Sequence, residues 1–111
     1  LLLQNNATVI TCHSKTKNLT RYCKEADIII TAVGNRNKFK LSSEMIKPDA
    51  IIIDVAISRH EGKLIGDTDY DDVIQKASWV TPVPGGVGPM TIAMLLKNTI
   101  TATSLSKEIA G

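Results

Sequence analysis

Trp79-Val80-Thr81-Pro82-Val83-Pro84-Gly85-Gly86-Val87-Gly88-Pro89-Met90-Thr91 is the stretch on which the reading of this chain turns. It passes from a short β-prone segment at 79–83, through a glycine-rich turn, into a helical pattern running from Met90 to about Lys107. Gly85, Gly86 and Gly88 allow a sharp turn and a close approach to a ligand with no Cβ in the way. Pro89 suits the first turn of a helix, where a missing N–H leaves nothing unpaired. The next backbone N–H groups point out of the helix start, toward negative or electron-rich groups. Strand, glycine turn and helix start in that order describe the carboxyl-end crevice of an open α/β sheet, where ligands bind. The spacing alone also suits a plain tight strand-to-helix connection.

The rest of the chain alternates in the same way. Residues 1–6 read as the last turn of a helix, because Asn5-Asn6 tolerates the left-handed cap position. Such a start suggests a fragment, or a cut inside a βα unit. Thr8–Cys12 is β-branched and reads as a strand, 13–16 as a loop and 17–25 as a short helix. Asp27–Gly34 and Ala50–Ala56 carry continuous apolar runs, the mark of strands buried on both faces of a parallel sheet. A short helix near 42–46 and the Pro48-Asp49 break separate them. Residues 57–67 read as a hairpin arm turning at Arg59–Lys63, and 70–77 as a helix with acids at its positive end. In the last helix Ile92, Leu95, Leu96, Thr99, Ile100 and Thr103 fall on one amphipathic face. Four strand–helix alternations predict an α/β domain with a doubly wound, mostly parallel, Rossmann-like sheet whose first βα unit is truncated.

The totals narrow the function classes. The 111 residues suffice for one domain with a modest core. At 43% hydrophobic and 22% charged, the chain has a globular rather than a disordered balance. Thirteen basic against eleven acidic residues leave +2, scattered along the chain, which argues against a nucleic-acid partner. No apolar run approaches the ~20 residues of a membrane span. Cys12 and Cys23 lack CxxC spacing and read as free thiols of a reducing compartment, and His13 and His60 have no ligand-spaced partner, so no metal site is expected.

In a sheet of this kind functional groups gather at the strand ends: 12–16, 31–36, 54–58 and 84–91. An NAD site usually presents an acid to the ribose 2′-hydroxyl. The first strand end offers His13, Ser14 and Lys15 instead, a hydroxyl with cationic groups that suit the 2′-phosphate of NADP. The same loop could equally be solvated, with Ser14 or Thr16 capping the next helix. Asp54 is expected to bond backbone N–H groups locally and fix the loop at 55–58. Gly34 either lets backbone lie against a cofactor or simply ends a strand, and Asp67 reads as a turn or cap residue. No Ser/His/Asp or Cys/His constellation assembles, and no general acid or base stands out, so no catalytic residue is assigned.

Beyond the octapeptide 84–91, the motifs His-Ser-Lys-Thr (13–16), Ala-Asp-Ile (26–28), Val-Gly (33–34), Ile-Lys-Pro (46–48), Ile-Asp-Val (53–55), Gly-Asp (66–67) and Thr81–Thr91 occur in order and register. Together they resemble the C-terminal NAD(P)-binding domain of the bifunctional methylenetetrahydrofolate dehydrogenase/methenyltetrahydrofolate cyclohydrolase (FolD) family. The resemblance implies NADP-dependent oxidation of 5,10-methylenetetrahydrofolate to the methenyl form, then hydrolysis to 10-formyltetrahydrofolate. By motif match it implies a cofactor site at His13, Ser14, Val33, Gly34, Val55, Ala56, Ile57 and Thr91. Ser14 would lie near the 2′-phosphate, Ile57 near the nicotinamide and Thr91 close to the cofactor. Pro84, Gly85, Gly86, Val87 and Gly88 would line the folate side.

The resemblance further implies that residues 1–111 are a single cofactor domain. The family's Tyr-x-x-x-Lys motif and Gly-Arg-Ser phosphate loop lie outside this sequence, so the chain alone should have little or no catalysis. It implies a homodimer, with the 57–67 arm as a contact, and a cytoplasmic or organelle-matrix setting. Two departures stand out: Ala56 replaces a usual glycine beside the nicotinamide, and the proline often found after Gly34 is missing from Asn35-Arg36-Asn37. The rival reading is a non-catalytic dinucleotide-binding or dimerisation module.

Overall fold

The computed structural model describes residues 1–110. Three strands rich in isoleucine and other β-formers, β1 (Ile28–Thr31), β2 (Ile51–Asp54) and β5 (Trp79–Val80), form a parallel sheet in the order β1-β2-β5. The register pairs Ile28 with Ile51 through to Thr31 with Asp54, and Ile51 with Trp79. All three strands therefore end on one rim. Helix α1 (Leu19–Glu25), a 3₁₀ turn at Ser43–Met45 and the short helix α2 (Tyr70–Val73) accompany the sheet. Cys23, Ile29, Leu41, Ile46, Ala50, Ile52 and Val73 form the core. The arm is present as an antiparallel hairpin, β3 (Ser58–His60) with β4 (Lys63–Ile65). Its two-residue turn has both Glu61 and Gly62 at positive φ, as a turn matched to strand twist requires. The long helix α3 spans Val87–Ala110.

The structure departs from the sequence reading in five places. Thr8–Cys12 joins neither sheet, and its Val9 and Ile10 are exposed. Its composition favours extended backbone, but a strand also needs a partner, and this segment pairs with no described strand. The isoleucine runs are buried on one face only: in β1, Ile29 and Thr31 are buried while Ile28 and Ile30 are half exposed. The core elements cover that single face. Strand β5 stops after two residues because Pro82 has no N–H to continue the ladder, whose last bond is Thr81 N–H to the Ile52 carbonyl. Helix α2 ends at Val73, where Lys76 and Ala77 both fold back to donate to the Val73 carbonyl. Helix α3 starts three residues early, since Gly88 and Pro89 are tolerated in its first turn, and it buries none of its residues. Ile92, Leu95, Leu96 and Ile100 are exposed along the predicted apolar face, against which no described element packs.

Candidate functional site

The rim at the carboxyl ends of the strands is built around two buried acids. Asp54, the last residue of β2, is 2% exposed. Its Oδ1 accepts the Ala56 N–H (3.2 Å) and its Oδ2 the Thr68 N–H (2.8 Å), while its own N–H donates to the Thr81 hydroxyl (2.8 Å). The Ala56 bond is the local backbone role expected of it, and the Thr68 bond ties it to a segment fourteen residues on. Asp67 is fully buried and accepts the N–H groups of Val33 (2.6 Å) and Gly34 (3.0 Å) just beyond β1. Neither carboxylate is paired with a Lys or Arg among the described residues. Backbone N–H dipoles supply the partners that a buried charge requires.

Asp67 is thus more than the turn or cap residue expected from sequence. Arg36 is equally unanticipated: its Nη1 donates to the carbonyls of Gly66 (3.0 Å) and Thr68 (2.7 Å) on either side of Asp67. The available signal was Gly66-Asp67-Thr68 itself, an acid beside a glycine with no clean helical periodicity at its own position. Gly66 is demanded sterically, since a Cβ there would stand 2.2 Å from Asp54 Oδ2.

Between β2 and the glycine turn lies an open cleft of about 180 Å³, lined by Asp54, Val55, Ile57 and residues 82–89. It is smaller than the ~300–1,000 Å³ of pockets that enclose whole ligands, so it has room for part of one. Gly85 takes φ +98°, and a Cβ on Gly86 would meet the Pro82 carbonyl at 2.3 Å. Both glycines are therefore needed by the turn. Gly88 faces Ile57 across the cleft, with Ile57 Cδ1 4.0 Å from the position a Cβ would take. The Val83–Pro84 peptide is cis.

Val55, Ile57 and Pro84–Gly88, all singled out in the sequence, share this cleft. Val33 and Gly34 are exposed at the neighbouring strand end, and Gly34 adopts φ +68° with open space where a Cβ would point. Ala56, expected beside the nicotinamide, is buried and does not line the cleft. Thr91 lies one turn into α3, its hydroxyl bonded to the Val87 carbonyl (3.0 Å). His13 and Ser14 lie on a separate exposed turn, closed by His13 N–H to Thr16 Oγ1 (2.8 Å) and Lys15 N–H to His13 Nδ1 (3.2 Å). Thr16 thus holds its own turn, and α1 has no side-chain cap.

Residues 1–107 match the sequence profile described as tetrahydrofolate dehydrogenase/cyclohydrolase, NAD(P)-binding domain. The chain belongs to that family. It is 74% identical over 109 residues to the bifunctional protein FolD of Nitrosopumilus maritimus, covering 98% of itself and 38% of that relative. The structure of the bifunctional 5,10-methylenetetrahydrofolate dehydrogenase/cyclohydrolase of Thermoplasma acidophilum superposes with a TM-score of 0.89 at 38% identity, over 96% of this chain and 38% of the other. The FolD of Trypanosoma brucei, solved with NADP cofactor and inhibitor, gives 0.71 at 36% identity over 80% and 32%. The chain therefore spans about two fifths of the length of the family members it matches. These neighbours bear out the Rossmann-like fold class. No described helix is long and apolar enough to cross a membrane.

Proposed function

We propose that this chain is the cofactor domain of an enzyme that oxidises 5,10-methylenetetrahydrofolate with NADP and hydrolyses the resulting methenyl group to 10-formyltetrahydrofolate. The observation that carries the reading is the rim itself. Exposed backbone at Val33–Gly34, the edge at Val55–Ile57 and the glycine turn converge within a family whose matched domain is NAD(P)-binding.

The residues suit a phosphorylated dinucleotide. Asp54 and Asp67 are buried and turned onto backbone N–H groups, away from a ribose hydroxyl at the surface. The exposed His13-Ser14-Lys15 turn offers the Ser14 hydroxyl and the Lys15 ammonium to a 2′-phosphate. Bound there, NADP would supply the hydride acceptor. Gly34 would give it an unobstructed backbone surface, Val55 and Ile57 would flank the ring, and Thr91 would lie near it at the start of α3. Pro84–Gly88 would form the wall against which the folate is held and water limited. Catalysis would require the further chain that relatives carry, because no general acid or base is found on this rim. The exposed β3–β4 arm supports a homodimer contact, and the free thiols Cys12 and Cys23 suit the cytoplasm.

The test is a spectrophotometric assay of the full-length protein with methylenetetrahydrofolate and either NADP or NAD. Reduction of NADP in preference to NAD, with hydrolysis of methenyltetrahydrofolate, is the expected result. Failure to reduce either nucleotide would refute the reading.

A further inference from the structure

We propose that Asp67 and Arg36 act as positioning residues, a reciprocal clasp that fixes the Val33–Gly34 wall of the cofactor site; the proposal rests on the function proposed above. Asp67 reaches out of the 66–68 segment and binds two consecutive N–H groups, at Val33 and Gly34. Arg36 reaches back from the 33–36 turn and binds the carbonyls of Gly66 and Thr68. Four hydrogen bonds thus join two segments some thirty residues apart, with donor and acceptor roles exchanged. Each involves a charged side chain, the stronger class of hydrogen bond.

The clasp is coupled to the opposite wall. The Thr68 N–H is held by Asp54 Oδ2, and the other oxygen of that carboxylate holds the Ala56 N–H. A shift of 66–68 would therefore displace the backbone beyond β1 and beyond β2 together. Neither clasp residue lines the cleft, and Asp67 is fully buried, so any effect on chemistry must pass through the backbone they hold. Gly34 is well placed to transmit it: it sits at φ +68° with nothing within 4 Å of where a Cβ would be. Asn35-Arg36-Asn37 lacks the proline often found after this glycine in the family, and the two bonds of Arg36 give that turn a restraint that a proline ring could not make.

The two proposed reactions should depend on this wall unequally. Hydride transfer needs the cofactor held against Gly34 and Ile57. Hydrolysis consumes water and no hydride acceptor, and it depends on the folate wall at Pro84–Gly88, which the clasp residues do not touch.

The test compares wild type, Asp67→Asn, Arg36→Gln and Arg36→Lys in the full-length protein. An amide at 67 can accept from one N–H but turns a donor toward the other. Asp67→Asn should raise the KM for NADP about ten-fold, the ratio that goes with losing one hydrogen bond to a charged group. Its hydrolysis of methenyltetrahydrofolate without NADP should stay at the wild-type rate. Arg36→Gln should shift the same KM in the same direction by less, and Arg36→Lys should recover part of it. A parallel fall in both activities would reduce the clasp to a stability element and overturn the proposal, as would an unchanged KM in both position-36 and position-67 variants. If Asp67→Asn does not fold, the Arg36 pair decides alone. NADP affinity by calorimetry separates the two levels of inference. A wild type that binds NADP but catalyses nothing refutes the proposed function, while the variants still rank the clasp. A wild type that binds no NADP overturns the clasp as well.

Discussion

Replacing Gly66 with alanine puts the buried carboxylate of Asp54 under direct stress. A Cβ at that position would stand 2.2 Å from Oδ2, 2.6 Å from Cγ and 2.8 Å from Oδ1 of Asp54. The carboxylate has to move. Moving it breaks the bonds from Thr68 N–H (2.8 Å) and Ala56 N–H (3.2 Å). Hydrogen bonds to a charged group contribute about 1.5–3 kcal/mol each, so losing both costs about 3–6 kcal/mol. Alanine narrows the unfolded ensemble and returns about 0.4–1 kcal/mol. The net is a destabilisation of about 2–5 kcal/mol, a large part of the ~5–15 kcal/mol by which domains are stable. Urea denaturation followed by circular dichroism measures it. The double variant with Asp54→Ala should be less destabilised than the sum of the single variants, because removing the carboxylate removes the clash. A Gly66→Ala protein within about 0.5 kcal/mol of wild type, or a strictly additive cycle, would refute the reasoning.

Four further outcomes are expected. Gly86→Ala should cost about 1–3 kcal/mol, because its Cβ meets the Pro82 carbonyl at 2.3 Å. Gly88→Ala should leave thermal stability unchanged or higher, since its Cβ has room in the first turn of α3, while narrowing the gap to Ile57 and raising the KM for folate. Burial, and secondarily the neighbouring Cys12, push the Cys23 thiol above its ordinary value of 9.0. The folded state holds this proton more tightly than the unfolded one, so its contribution is intact below pH 9 and is lost as pH rises toward the higher folded value. Cys23→Ser should flatten the alkaline limb of a stability–pH profile. The Ser43 N–H and hydroxyl, bonded to Asp72 at 2.7 and 2.8 Å, hold its carboxyl below the ordinary 3.8, with Lys40 and Lys76 adding to the effect. That contribution is present above pH 3.8 and lost as pH falls through the lower folded value, so Asp72→Asn should flatten the acid limb.

Local chemistry settled much of this protein from the sequence alone. The isoleucine runs placed β1 and β2, the Arg59–Lys63 stretch bracketed the hairpin turn, and the glycine-rich octapeptide placed the bend into α3, because each depends on backbone preferences of neighbouring residues. The strand-end rule then pointed to the rim where Val55, Ile57 and Pro84–Gly88 line one cleft, and Asp54 was legible as a local anchor because its Ala56 partner lies two positions away. Tertiary structure decided what depends on partners distant in the chain. Thr8–Cys12 has the composition of a strand but pairs with no described strand, and the apolar stripe of α3 forms a helix but finds no described surface to cover. The same holds at the site. The partners of Asp67 lie 34 and 33 positions away, and those of Arg36 lie 30 and 32. Periodicity reports which side of an element faces inward. It carries no information on which distant N–H or carbonyl will meet a charged side chain, and here that meeting joins the backbone at Val33–Gly34 to the 66–68 segment.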